Sequence, residues 1–99
     1  MDVIFQGHVA LDGSTKIICS TSSLIINTII INNLDSDYVF NLSRFMTGPG
    51  IHEVPIYNLQ LSQGDSIRDT DTYILEQDNY LQLTSDVVGT TFYIKGTQQ

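Results

Sequence analysis

Residues 72–95 read TYILEQDNYLQLTSDVVGTTFYIK, and this stretch decides the fold class. It holds three short runs in which apolar side chains recur every second position: Tyr73 and Leu75, Leu81 and Leu83, Phe92 and Ile94. A period of two belongs to a pleated strand with one buried face. Between the runs stand Gln77, Asp78 and Asn79, then a segment containing Gly89. Asp and Asn hydrogen-bond their own backbone, and Gly tolerates left-handed angles, so both spacers read as turns. Residues 72–76, 80–84 and 91–95 are therefore predicted strands, with 96–99 a polar tail.

The pattern continues outward from this stretch. Val54 to Ser62 reads as a strand with Tyr57, Leu59 and Leu61 inward, and Pro55 suits a strand start or an edge. Gln63, Gly64 and Asp65 form a turn, Ser66 to Arg68 a short strand, and Asp69, Thr70 and Asp71 another turn. Tyr38, Phe40 and Leu42 alternate with Val39, Asn41 and Ser43. Leu24 to Asn32 is apolar on both faces, with Ile25, Ile29 and Ile31 on one and Ile26 and Ile30 on the other. Such a strand is central and covered on both sides, or covered by a neighbouring subunit. Thr15 to Ser20 places Ile17 and Cys19 on one face. Val3 to Phe5 and His8 to Leu11 are short apolar runs split by Gly7. Arg44 to His52 contains Gly48, Pro49 and Gly50 and reads as the longest irregular loop.

No window carries apolar residues at helical spacing, so no helix longer than one turn is expected. About eight strands with turns every 8–12 residues predict an all-β chain: one antiparallel β-sandwich domain over residues 1–99, jelly-roll or Ig-like, of seven to nine strands. Composition agrees. Ile, Val, Thr, Tyr and Phe fill 38 of the 99 positions, and alanine occurs once, at Ala10. These β-branched and aromatic types fit a pleated, half-buried surface.

Charge narrows the function. Four Lys and Arg against eleven Asp and Glu give a net charge of −7, which argues against a chain that neutralises nucleic acid or anionic lipid. The longest apolar stretch is far too short for a bilayer span, and no secretory signal is seen at the start of the chain. Asn41, Leu42 and Ser43 match a glycosylation acceptor pattern, which is discounted without a secretory signal. One cysteine, Cys19, can form neither an internal disulfide nor a cysteine-built metal site. Its strand pattern makes it a small buried hydrophobe. His8 and His52 stand beside apolar residues with no nucleophile elbow nearby, and no enzyme activity is expected. Asp65, Asp69, Asp71, Glu76, Asp78 and Asp86 make the last third acidic, but turn roles account for the aspartates, and no metal or other cofactor is expected.

Residues 57–65 (YNLQLSQGD), 69–73 (DTDTY), 78–81 (DNYL) and 85–96 (SDVVGTTFYIKG) carry a resemblance. Their order of Gly-Asp turn, Tyr-x-Leu strand, Asp-Asn-Tyr-Leu strand and Gly-Thr-Thr hairpin resembles small β-rich virion proteins of tailed bacteriophages. The likeness spans about residues 54–96 and is greatest to auxiliary (decoration) capsid proteins, with an Ile- and Asn-rich first half in the manner of crAss-like phages. It implies a structural protein made in the bacterial cytoplasm and located on the virion capsid surface. Its implied partners are the major capsid protein and other virion proteins, with self-association in the lattice. No catalytic or cofactor residue comes with the resemblance. The alternatives are a head–tail or tail component, or a carbohydrate-binding module using Tyr38, Tyr57, Tyr73, Tyr80 and Tyr93. Phe45 and Met46, apolar residues beside Gly48, Pro49 and Gly50, are the candidate interaction residues. Folding back to cap the open end of the sandwich is their structural alternative.

Overall fold

Alternating sequence becomes strand throughout the chain. The computed structural model describes residues 1–99 and contains nine strands and no helix. They are β1 (Asp2–His8), β2 (Thr15–Ile18), β3 (Ser23–Asn32), β4 (Tyr38–Gly48), β5 (Gly50–Leu61), β6 (Ser66–Asp69), β7 (Tyr73–Glu76), β8 (Tyr80–Ser85) and β9 (Thr91–Gln98). One sheet has the order β1-β9-β3-β6, with β7 also on β3, and the other has the order β2-β8-β4-β5. Every pairing is antiparallel.

The pairing is that of one long hairpin rolled upon itself. β4 pairs with β5, β3 with β6 and β7, β2 with β8, and β1 with β9. That connectivity is the jelly roll, with two Greek keys in a double-sheet sandwich. Side chains from both inner faces fill one core: Leu24, Ile26, Ile29, Ile31, Leu75 and Ile94 from the first sheet meet Ile17, Tyr38, Phe40, Leu42, Leu81 and Leu83 from the second. Burying each such aliphatic or aromatic side chain is worth about 1.5–3 kcal/mol relative to exposure.

Two bulges set which side chains face that core. In β3 the register to β9 shifts between Ile26 and Thr28. The extra residue reverses the alternation, so Leu24 and Ile26 point inward before it and Ile29 and Ile31 after it. This corrects the simple alternation over 24–32: Ile26 faces the core, and Ile25 and Ile30 face out. The opposite edge is interrupted at the same level. Residues 70–72 leave the sheet between β6, which pairs with Ile29 to Asn32, and β7, which pairs with Ser23 to Ile26. A second bulge, between Leu42 and Ser43, gives β5 one extra residue, Ile56.

Other expectations change as well. Gly7 does not split the first segment, because β1 is continuous and pairs with β9 along its whole length. Residues 96–98 are strand, not tail. Gly96 sits where a Cβ would lie 2.5 Å from the Ile25 carbonyl oxygen, so only glycine lets β9 approach the β3 bulge. Leu59 is 39% exposed because β5 is an edge strand, the position that Pro55 tolerates. The largest correction is at 44–52. This segment is not an irregular loop: β4 and β5 stay paired from Tyr38↔Leu61 out to Gly48↔Gly50, with Pro49 alone at the tip. A hairpin bend accommodates Pro there because no ladder bond requires its missing N–H.

Candidate functional site

The projecting part of this hairpin is the candidate site. β8 accompanies β4 only as far as Phe45, which lies opposite Tyr80. Beyond it β4 and β5 continue alone, through Met46↔His52 and Thr47↔Ile51 to Gly48↔Gly50. Residues 46–52 thus form a two-stranded arm standing past the end of the four-stranded sheet. A two-stranded ribbon has little stability of its own, so its base must be anchored. The Thr47 N–H donates to Asn79 Oδ1 at 3.1 Å, and the Ser43 hydroxyl donates to Glu53 Oε2 at 2.6 Å. Met46 and Ile51 are 37% and 67% exposed on the arm.

The two candidate residues divide in role. Phe45 is half-buried and stacks on Tyr80, with ring centroids 4.9 Å apart and planes 8° from parallel. The Lys16 ammonium lies 5.0 Å from the same Tyr80 ring. A cation over an aromatic face and an aromatic pair together hold the base of the arm on the outer face of the second sheet. Phe45 therefore braces the arm and does not cap the sandwich end. Met46 lies on the opposite side of the arm, beside Arg44. Arg44 is partly buried, its Nη1 donating to the Ile74 carbonyl at 3.5 Å while its buried Nε has no partner.

A second polar group closes one side of the sandwich. Asp69, at the end of β6, is 8% exposed. Its Oδ2 accepts from the Tyr73 hydroxyl at 2.6 Å and from the Tyr57 hydroxyl, and its Oδ1 accepts from the Asp71 N–H at 2.8 Å. Tyr57 comes from β5 and Tyr73 from β7, so one carboxylate ties the open edges of the two sheets together. Desolvation pushes the Asp69 carboxyl upward, but the two hydroxyls and the amide outweigh it and hold the group below its ordinary value of 3.8. Desolvation, reinforced by donation to Asp69, raises Tyr57 and Tyr73 above the ordinary tyrosine value. The turn role read for Asp69 is present as the bond to Asp71; its tyrosine partners are not visible in the sequence.

The loop end opposite the arm gathers Asp12, Asp35, Asp37, Asp65 and Asp86. A cleft of about 410 Å³ there is lined by Asp37, Gln60, Ser62 and Asp86 among others. Its carboxylates are engaged with the backbone: Asp37 Oδ1 accepts from the Gln63 N–H at 2.7 Å and Asp86 Oδ1 from the Val39 N–H at 2.8 Å. Beneath them Asn33 is fully buried and saturated, donating to Val88 and Thr90 and accepting from the amides of Asp35 and Ser36. These bonds clamp the loops to one another. No group of three His, Cys, Asp or Glu side chains lies close enough to hold a metal ion.

The remaining candidates fall apart in space. Cys19 is wholly buried, as its strand pattern predicts. His8 and His52 are exposed on different sheets. Of the five tyrosines, Tyr38 is buried and donates to the Asp65 carbonyl at 2.5 Å, while Tyr57 and Tyr73 are tied to Asp69. Only Tyr80 and Tyr93 remain on outer faces, on opposite sheets. No family model matches the chain, and neither does any curated protein.

Proposed function

We propose that this chain is a non-enzymatic structural component of a tailed-phage virion, bound to the outside of the major capsid lattice as an auxiliary protein. The observation that carries the reading is the arm. A paired ribbon that leaves its sheet and holds Met46 and Ile51 in water is a docking element, because exposed aliphatic area gains free energy only against a partner. The rest of the molecule supports this. Jelly rolls are a recurrent architecture of viral capsid domains. The net charge of −7 suits an outward position away from packaged DNA. A lattice repeats each contact many times, so a small arm suffices for each copy. The likeness over residues 54–96 to phage virion proteins points the same way.

The test is co-sedimentation with purified capsids lacking the protein. Met46→Ser with Ile51→Ser touches only exposed side chains and should leave the melting temperature within a few degrees of the native value while binding falls at least tenfold. Phe45→Ser removes the stack on Tyr80 and should weaken both stability and binding. Normal capsid binding by the Met46 and Ile51 double variant would refute the arm as the docking element.

A further inference from the structure

The outer face of an antiparallel sandwich is commonly polar. The outer face of the β1-β9-β3-β6 sheet is mixed, with five large apolar side chains set among its polar ones. The register sets Asp2, Thr97, Ile25 and Ile74 in one row and Gln6, Tyr93, Ile30 and Arg68 in a second, with Ile4, Lys95 and Thr28 between them. Ile4 is 53% and Ile74 49% exposed, and Ile25, Ile30 and Tyr93 are half-buried only by their own sheet neighbours. All nine strands belong to the two sheets, so no other element of the chain lies over this surface.

We propose that this face binds a second copy of the same chain about a two-fold axis. Charge placement favours that occupant. On a chain of net charge −7, this face carries two of the four cations, Arg68 and Lys95, against Asp2 and Glu76. It is locally neutral, so two copies meet here without the repulsion that the acidic loop end would impose. Asp2 and Arg68 also occupy diagonally opposite corners of the apolar patch. A two-fold axis lying along the other diagonal places each Asp2 against the Arg68 of the partner copy and the isoleucines against each other. The strands of the two sheets then cross near a right angle, an established sheet packing. Lys95 lies near that axis, and its stem must run sideways to release the ammonium at the rim.

The contact is small. Four strands about 4.8 Å apart span about 19 Å, and two such sheets crossing near a right angle overlap over roughly 370 Å² per copy, or about 740 Å² in all, which falls in the class of weak, transient contacts. The structure therefore points to a weak dimer. This inference concerns the free protein and holds whether or not the arm docks on a capsid.

Sedimentation velocity from about 5 to 500 µM tests it, a concentration range in which weak association is visible. The native chain should shift from monomer to dimer across the range. Ile25→Lys with Ile74→Lys should stay monomeric with the far-ultraviolet spectrum unchanged. Asp2→Arg or Arg68→Asp alone should weaken the dimer at least tenfold, and the two together should restore it. A native chain monomeric throughout, a dimer that survives the lysine pair, open-ended association, or a charge swap that fails to restore pairing would each overturn the proposal.

Discussion

Replacing Asp69 by Asn removes one charge and almost no volume, and it places the side chain in a position it cannot satisfy. Oδ2 receives two hydroxyl donors and Oδ1 receives an amide. Asparagine offers one oxygen and one NH₂. If the oxygen faces the tyrosines, the NH₂ meets the Asp71 N–H; if it faces Asp71, the NH₂ can donate to the hydroxyl oxygens, but the two hydroxyl protons lose the carboxylate that accepted them. Either way a donor in a largely buried site loses its acceptor, at a cost of about 1–3 kcal/mol, and the surviving bonds lose their charge assistance, about 1 kcal/mol more. The expected loss is about 2–4 kcal/mol, out of the roughly 5–15 kcal/mol typical of a domain. Thermal unfolding by circular dichroism should show a fall of at least about 8 °C. The pH dependence gives a second readout. Asp69 has a folded pKa below its unfolded value, so its contribution is present above about pH 4 and is lost as pH falls through the folded value. The gap between native chain and variant should therefore narrow from pH 5 toward pH 2. A loss under about 0.5 kcal/mol, the range of ordinary surface changes, or a gap that ignores pH, would refute the clamp.

Three further outcomes follow from the same geometry. Gly96→Ala should cost about 1–3 kcal/mol in urea unfolding, because its Cβ meets the Ile25 carbonyl and not a movable side chain. Tyr57, Tyr73 and Tyr38 have folded pKa values raised above the unfolded value of 10, chiefly by desolvation, so stability should hold to about pH 10 and fall as pH rises beyond it. Tyr73→Phe should blunt that alkaline fall. EDTA should leave the melting temperature unchanged, because the buried Asp69 oxygens are already occupied by donors of the chain itself; a drop reversed by calcium would contradict this.

The strands from Tyr57 to Ile94 were legible because local alternation and Asp or Gly turns agree with the final packing there. The β3 face assignment failed at Asn27, where one extra residue reverses the alternation. An Asn within an isoleucine run, with Ile26 and Ile29 three apart, is the trace that bulge leaves in the sequence. The arm failed for a different reason. Gly48, Pro49 and Gly50 do mark a bend, but a bend at the tip of a hairpin and a long loop share that signature. Only the matched flanks, Met46 and Thr47 against Ile51 and His52, hint at pairing. Phe45 and Met46 were singled out from the sequence, yet their separation into brace and exposed tip depends on Tyr80, 35 positions away. The Asp69 clamp joins three strands, and no local pattern reveals its partners.

The proposed role places this jelly roll on the outside of a capsid, held there by the β4–β5 arm. Cryo-electron microscopy of virions from a phage whose genome carries this chain is the decisive experiment. Repeated density of about 38 × 29 × 19 Å is expected on the outer capsid surface, with residues 46–52 against the shell. The chain located in the tail or connector, on the inner capsid wall, or missing from the particle would contradict it.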